Sequence, residues 1–138
     1  MKKNKSKLSI GKIIFGWLPA FLCAGIILYL SSKPATALPS MWFKHMDKML
    51  HAGEYGALTL LIFRALLWPQ YHGRSRRRIL RDVSLTLFIC SVFSMLDEFH
   101  QVWIPGRTAT FLDWIADMAG VIAALAFSLY CIWPSKRR

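Results

Sequence analysis

Negative charge is scarce in this chain of 138 residues: seven Asp and Glu stand against eighteen Lys and Arg, for a net charge of +11. Cysteine is scarcer still. Cys23, Cys90 and Cys131 fall in three separate apolar stretches, with no CxxC or other ligand spacing. They support no disulfide framework and read as small, reduced packing residues. Long polar stretches are missing as well. What lies outside the apolar runs is too short for a soluble domain, a repeat array or a low-complexity tail.

What is present is hydrophobic. Apolar residues make up 55% of the chain and the mean hydropathy is +0.37, whereas soluble domains lie near about 45–50% apolar. Four apolar stretches occur, at residues 10–30, 49–68, 83–104 and 111–133. Each is close to the ~20 residues that a helix needs to cross a bilayer. The expected fold is therefore all-α: a single domain over residues 1–138, an integral membrane four-helix bundle with helices at about 10–30, 47–68, 83–104 and 111–133. The basic start, the apolar run and Ala35-Thr36-Ala37 resemble a secretory signal. However, the run at residues 13–30 is longer than the roughly 7–15 residues of a signal core, so the segment reads as a retained first helix.

The cations alternate between loops. Thirteen lie before the first segment (Lys2, Lys3, Lys5, Lys7, Lys12), between the second and third (Arg74, Arg76, Arg77, Arg78, Arg81) or at the end (Lys136, Arg137, Arg138), and the other two loops hold four: Lys33, Lys44, Lys48 and Arg107. This is the positive-inside pattern, which places both termini and the Arg-rich loop in the cytoplasm. The bilayer, rather than nucleic acid, is the partner such basic runs imply. Trp42, Trp68, Tyr71, Trp103, Trp114 and Trp133 fall near the expected interfaces, as an aromatic belt requires.

Six of the seven acids, Asp47, Glu54, Asp97, Glu98, Asp113 and Asp117, sit at or inside the ends of apolar segments. A carboxylate there is expensive and marks a site by default. Asp47, His51 and Glu54 share one face of the second helix, with Tyr55 beside them. Asp97 and Gln101 share a face of the third, with Glu98 and His100 to either side. Asp113, Asp117 and Gly120 form a stripe on the fourth. With the N-terminus inside, all three stripes face the outer leaflet. Thr110-Phe111-Leu112-Asp113 fits a capping box, so Asp113 and, in part, Asp47 are explained as acids at helix starts. Arg64 can snorkel to the cytoplasmic face. The first helix is expected to pack or to face lipid without supplying chemistry.

The order of these residues resembles a family pattern. Asp47-Lys48-x-x-His51-x-x-x-Tyr55 is followed by Asp97-Glu98-x-x-Gln101-x-x-x-Pro105-Gly106-Arg107-x-x-Thr110-x-x-Asp113-x-x-x-Asp117-x-x-Gly120. This is similar to the VanZ-like family of small bacterial membrane proteins, with the motifs within residues 46–125. Many members carry Asn where this chain has Asp117, so the chain adds a charge. The family's namesake raises resistance to teicoplanin, a lipoglycopeptide antibiotic. The resemblance thus implies a multi-pass protein of the bacterial cell envelope, with a polar site facing outward.

Three functions compete. In the first, the site binds a lipid-linked wall intermediate, a glycopeptide or a partner, with Asp47, Lys48, Tyr55, Gln101, Arg107, Asp113 and Asp117 as candidate ligand-binding residues, and Lys48 and Arg107 meeting phosphate or carboxylate. In the second, the protein is an intramembrane hydrolase or transferase acting on a polyprenyl-phosphate or other lipid. His51, Asp97 and Glu98 are its candidate catalytic residues, and His51 is the general acid or base, oriented by Asp47 or Asp97. No Ser or Cys nucleophile is placed in the cluster, and Ser94 is expected one turn below it. In the third, the carboxylates relay ions in a carrier, which the lack of an internal repeat disfavours. Carboxylates with His51 could ligate a divalent ion, but the Asp47/His51 spacing is no known metal signature. No metal ligand is therefore assigned, and nothing names a cofactor. Small residues at Ala52/Gly56 and Ala116/Gly120 permit close helix contacts, either within the bundle or between subunits of an oligomer.

Overall fold

The computed structural model describes residues 10–37, 45–68 and 75–132. Among these residues four helices follow one another: α1 (Ile10–Ser31), α2 (Met46–Leu67), α3 (Arg76–Gln101) and α4 (Phe111–Ile132), with a 3₁₀ turn, Ala35–Ala37, after α1. No strand occurs among the described residues. Lys2, Lys3, Lys5, Lys7, Lys44, Arg74 and the terminal Lys136, Arg137 and Arg138 lie outside the described residues, as do Trp42, Tyr71, Trp133 and the side chain of Lys12.

The helix ends show what hydropathy misses. α3 starts at Arg76, well ahead of the apolar run, because Arg is a good helix former and the basic stretch continues the helix. At its far end, Trp103 and Ile104 leave the helix for turns, their N–H groups donating to the carbonyls of His100 and Gln101 at 3.1 and 3.0 Å. Gly106, at φ 75°, takes the left-handed conformation that closes this link tightly. The Ala35 N–H donates to the Pro105 carbonyl at 3.3 Å, tying the α3–α4 link to the segment after α1.

α2 lies against all three other helices, most extensively α4. Tyr55, Leu58, Ile62, Phe63 and Leu67 of α2 form the core with Ala20 and Ile27 of α1, Cys90 of α3 and Val121 and Leu125 of α4. Large apolar residues cover the outside, including Phe15, Phe21, Phe88, Phe99 and Phe127, as lipid-facing helices require. Among the described residues, α1 (from Ile13), α3 and α4 are long and apolar enough to span a membrane. α2 is not in that set. Asp47, Lys48, Glu54 and Arg64 lower its hydropathy, and its central position shelters most of its polar groups from lipid. Arg64 lies in the last turn of α2, at the opposite end from Asp47, with its guanidinium 4.8 Å over the Trp68 ring.

The α2–α4 contact is closest where Ala52 and Gly56 meet Gly120. A Cβ placed on Gly120 would overlap the Ala52 carbonyl group, and one on Gly56 would lie 3.5 Å from the Gly120 carbonyl oxygen. Ala52, Gly56 and Gly120 are thus used within the bundle.

Candidate functional site

The end of α1, the start of α2, the end of α3 and the start of α4 share one end of the bundle, and Asp47, Asp97, Glu98, Asp113 and Asp117 gather there. Its innermost member is Asp117, fully buried one turn before the Gly120 contact. One carboxylate oxygen lies 3.0 Å from His51 Nδ1, and the other accepts the Ser94 hydroxyl at 2.5 Å. Three helices therefore meet on one carboxylate. Glu98 Oε1 stands 3.7 Å from the same His51 nitrogen. Glu98 is only 9% exposed, yet neither of its carboxylate oxygens has a hydrogen-bond partner. Ligand atoms of His51, Glu98 and Asp117 all lie within 4.8 Å of one another, close enough for a shared metal ion.

A second branch centres on Asp97. Its Oδ2 accepts from the Ser31 hydroxyl at 2.8 Å and from Gln101 Nε2 at 3.4 Å, while Oδ1 is buried without a partner. The fully buried Tyr55 hydroxyl also has none. At the rim, Lys48 bridges Asp47 and Asp113, pinning the start of α2 to that of α4. Asp113 also accepts from Thr110 N–H at 3.2 Å and Thr110 Oγ1 at 2.7 Å. The first of these is the backward half of a capping box.

Several sequence expectations change here. Asp47 and Lys48 pair with each other at the rim, and Asp47 does not orient His51. Nor does Asp97, which meets Ser31 and Gln101; that position belongs to Asp117. Arg107 turns away from the cluster: Nη2 and Nε donate to the carbonyls of Leu30 and Lys33 at 2.8 and 3.2 Å, so the guanidinium closes the C-terminal end of α1. Both cations thus have partners within the protein. Glu54 faces an apolar groove between α1 and α2, beside Pro19, Cys23 and Ile27. His100 meets the Ser32 hydroxyl at 3.0 Å on the exposed side. Two hydroxyls not assigned to the site from the sequence are part of it. Ser31 makes α1 a contributor, and Ser94, one turn before Asp97 on α3, nevertheless bonds the cluster directly through Asp117. The available signal was their position: each hydroxyl lies at the depth of the acids on neighbouring helices.

Arg107→Ala is expected to lower thermal stability in detergent by about 1–2 kcal/mol, the scale of charge-assisted bonds to helix carbonyls. Arg107→Lys should recover only part of the loss, because an ammonium cannot span two carbonyls as the fork does. Unchanged melting for Arg107→Ala would remove its capping role.

A groove between α3 and α4 lies at this end of the bundle. Of about 470 Å³, it is lined by Met95, Phe99, Val102, Ala109, Phe111 and Trp114, and it also touches Glu98 and Thr110. The Trp114 Nε1–H is buried there without a partner.

A family model described as VanZ/LLP1 matches residues 9–133, and the chain belongs to that family. No curated protein and no solved structure matches the chain.

Proposed function

We propose that this VanZ/LLP1-family membrane protein holds an amphiphile of the bacterial cell envelope, with its tail in the α3–α4 groove and its head group beside the buried cluster. The observation that carries this reading is the groove itself, whose lining is almost wholly apolar except where it meets Glu98. An apolar channel ending at a few polar groups is what an amphiphile needs. The resemblance to a family whose namesake acts against a lipid-tailed glycopeptide agrees with it. A lipid-linked wall intermediate is the proposed occupant.

The site is proposed to face outward in the cell membrane, with both termini in the cytoplasm. Charge supports this orientation. Arg76, Arg78 and Arg81 open α3, and the sixteen residues from Arg81 to Asp97 span about 24 Å of helix rise. The basic end and the acidic cluster are thus at opposite ends of the bundle, and the basic end belongs inside.

The test is retention of a polyprenyl-diphosphate lipid by the purified protein, read by native mass spectrometry. Val102→Trp fills the groove from an exposed position and is expected to reduce retention at least tenfold, with melting unchanged. Retention that ignores Val102→Trp would sink the groove reading, and retention of teicoplanin alone would replace the wall lipid with the antibiotic.

One observation favours a second, enzymatic reading. Asp117 holds His51 through Nδ1, which leaves Nε2 on the far side of the ring as a potential general acid or base. In that case purified protein turns over the polyprenyl-phosphate substrate and His51→Ala abolishes turnover. Binding without turnover returns the protein to the first reading.

A further inference from the structure

The buried cluster is poorly balanced for a membrane interior. Asp117 has a hydroxyl and an imidazole, but Glu98 has no hydrogen-bond partner at all. An unpaired carboxylate away from water costs several kcal/mol unless a cation compensates it. Among the described residues, Lys48 is engaged by Asp47 and Asp113, Arg107 by carbonyls at the end of α1, and Lys33 by the Tyr29 ring, so only the His51 imidazole, 3.7 Å away, faces Glu98. We infer that His51, Glu98 and Asp117 form a binding site for one divalent transition-metal ion of the Zn²⁺ or Mn²⁺ type.

The geometry has the right scale. Ligand bonds of about 2.1 Å place neighbouring ligand atoms about 3.0 Å apart in an octahedron and about 3.4 Å in a tetrahedron. His51 Nδ1 is 3.0 Å from the Asp117 oxygen and 3.7 Å from that of Glu98. With the ion bound, these atoms face the metal instead of each other, and the unused Glu98 oxygens gain their partner. The Ser94 hydroxyl, at 2.5 Å on the other Asp117 oxygen, fixes the angle of that ligand as outer hydrogen bonds do at metal centres. The imidazole nitrogen favours Zn²⁺ over Mg²⁺ or Ca²⁺, which prefer oxygen throughout, while the two carboxylates also suit Mn²⁺. Three protein ligands leave a position open, as in catalytic rather than structural zinc sites. Glu98 also lines the α3–α4 groove, so the open position is where the phosphate or diphosphate head group of a lipid held there would complete the shell. That last assignment rests on the lipid reading above, whereas the ion site itself does not.

The experiment is equilibrium dialysis of the tag-free full chain in detergent without added lipid, against Zn²⁺ and Mn²⁺ separately, with metal measured by mass spectrometry. One equivalent of at least one of the two ions per chain is expected. His51→Ala and Glu98→Gln should each weaken binding at least tenfold, while Glu54→Gln, outside the cluster, should bind as the parent does. Glu98→Gln also settles the folding question, because Glu98 makes no hydrogen bond that the change would break. Its melting without metal is expected to equal or exceed that of the parent, and its melting should no longer rise when metal is added. A folded parent chain that takes up neither ion overturns the site. So does uptake that Glu98→Gln and His51→Ala leave intact. Metal uptake with no lipid retention would leave the site standing and remove the head-group role.

Discussion

Gly120→Val should leave little or no folded protein in the membrane, and Gly120→Ala should be clearly impaired. At this position α4 lies directly on the backbone of α2, and any Cβ on Gly120 would overlap the Ala52 carbonyl, with its carbon at 2.8 Å. The obstacle is backbone rather than the end of a flexible side chain, so relief requires the two helices to separate. Inserting even one methylene in a packed core typically costs about 1–3 kcal/mol, and valine adds more, at the largest helix contact in the bundle. Separation would also move His51, beside Ala52, away from Asp117, one turn from Gly120. Loss of packing and loss of the cluster should therefore appear together. The measurement is membrane accumulation and thermal unfolding, with Gly53→Ala as the comparison, since a Cβ there meets nothing within 4 Å. If Gly120→Val accumulates and melts like the parent, the close crossing is wrong.

That crossing also explains what the sequence could and could not reveal. The number of helices follows from four apolar runs of membrane length, and the start of α4 follows from Thr110 and Asp113, whose capping bonds are local. The gathering of acids at one end is a matter of depth along each helix, which residue counting gives. Partner choice is different. Whether Asp47, Asp97 or Asp117 orients His51 depends on how α2 is rotated against α4, and the contact of Ala52 and Gly56 with the distant Gly120 sets that rotation. Arg107 was ambiguous for a similar reason. A loop arginine reads as a free cation until the end of α1 is placed beside it, and the carbonyls of Leu30 and Lys33 then claim it. Ser31 and Ser94 were obscured because hydroxyls in apolar helices commonly bond their own backbone, as Thr59, Thr86 and Ser128 do in this bundle.

Asp117→Ala should be the most damaging change within the cluster itself. The side chain is fully buried and joins α2, α3 and α4 through His51 and Ser94. Leaving a buried hydrogen-bonding group without its partner costs about 1–3 kcal/mol, and Asp117 serves two of them. His51 and Ser94 would both be stranded, with only Glu98 near the imidazole. Asp117→Asn separates charge from shape: its amide oxygen still accepts from Ser94 and its volume is kept, so it should fold with a much smaller loss while binding of an ion or a head group fails. The double variant Asp117→Ala/Ser94→Ala provides the decisive comparison. If the cost lies in unpaired polar groups, deleting the hydroxyl as well should return part of the stability, so the two changes together should cost less than their sum. Strict additivity in thermal or denaturant unfolding would mean that Ser94 and Asp117 act independently, and the carboxylate would lose its place as the point where three helices are joined.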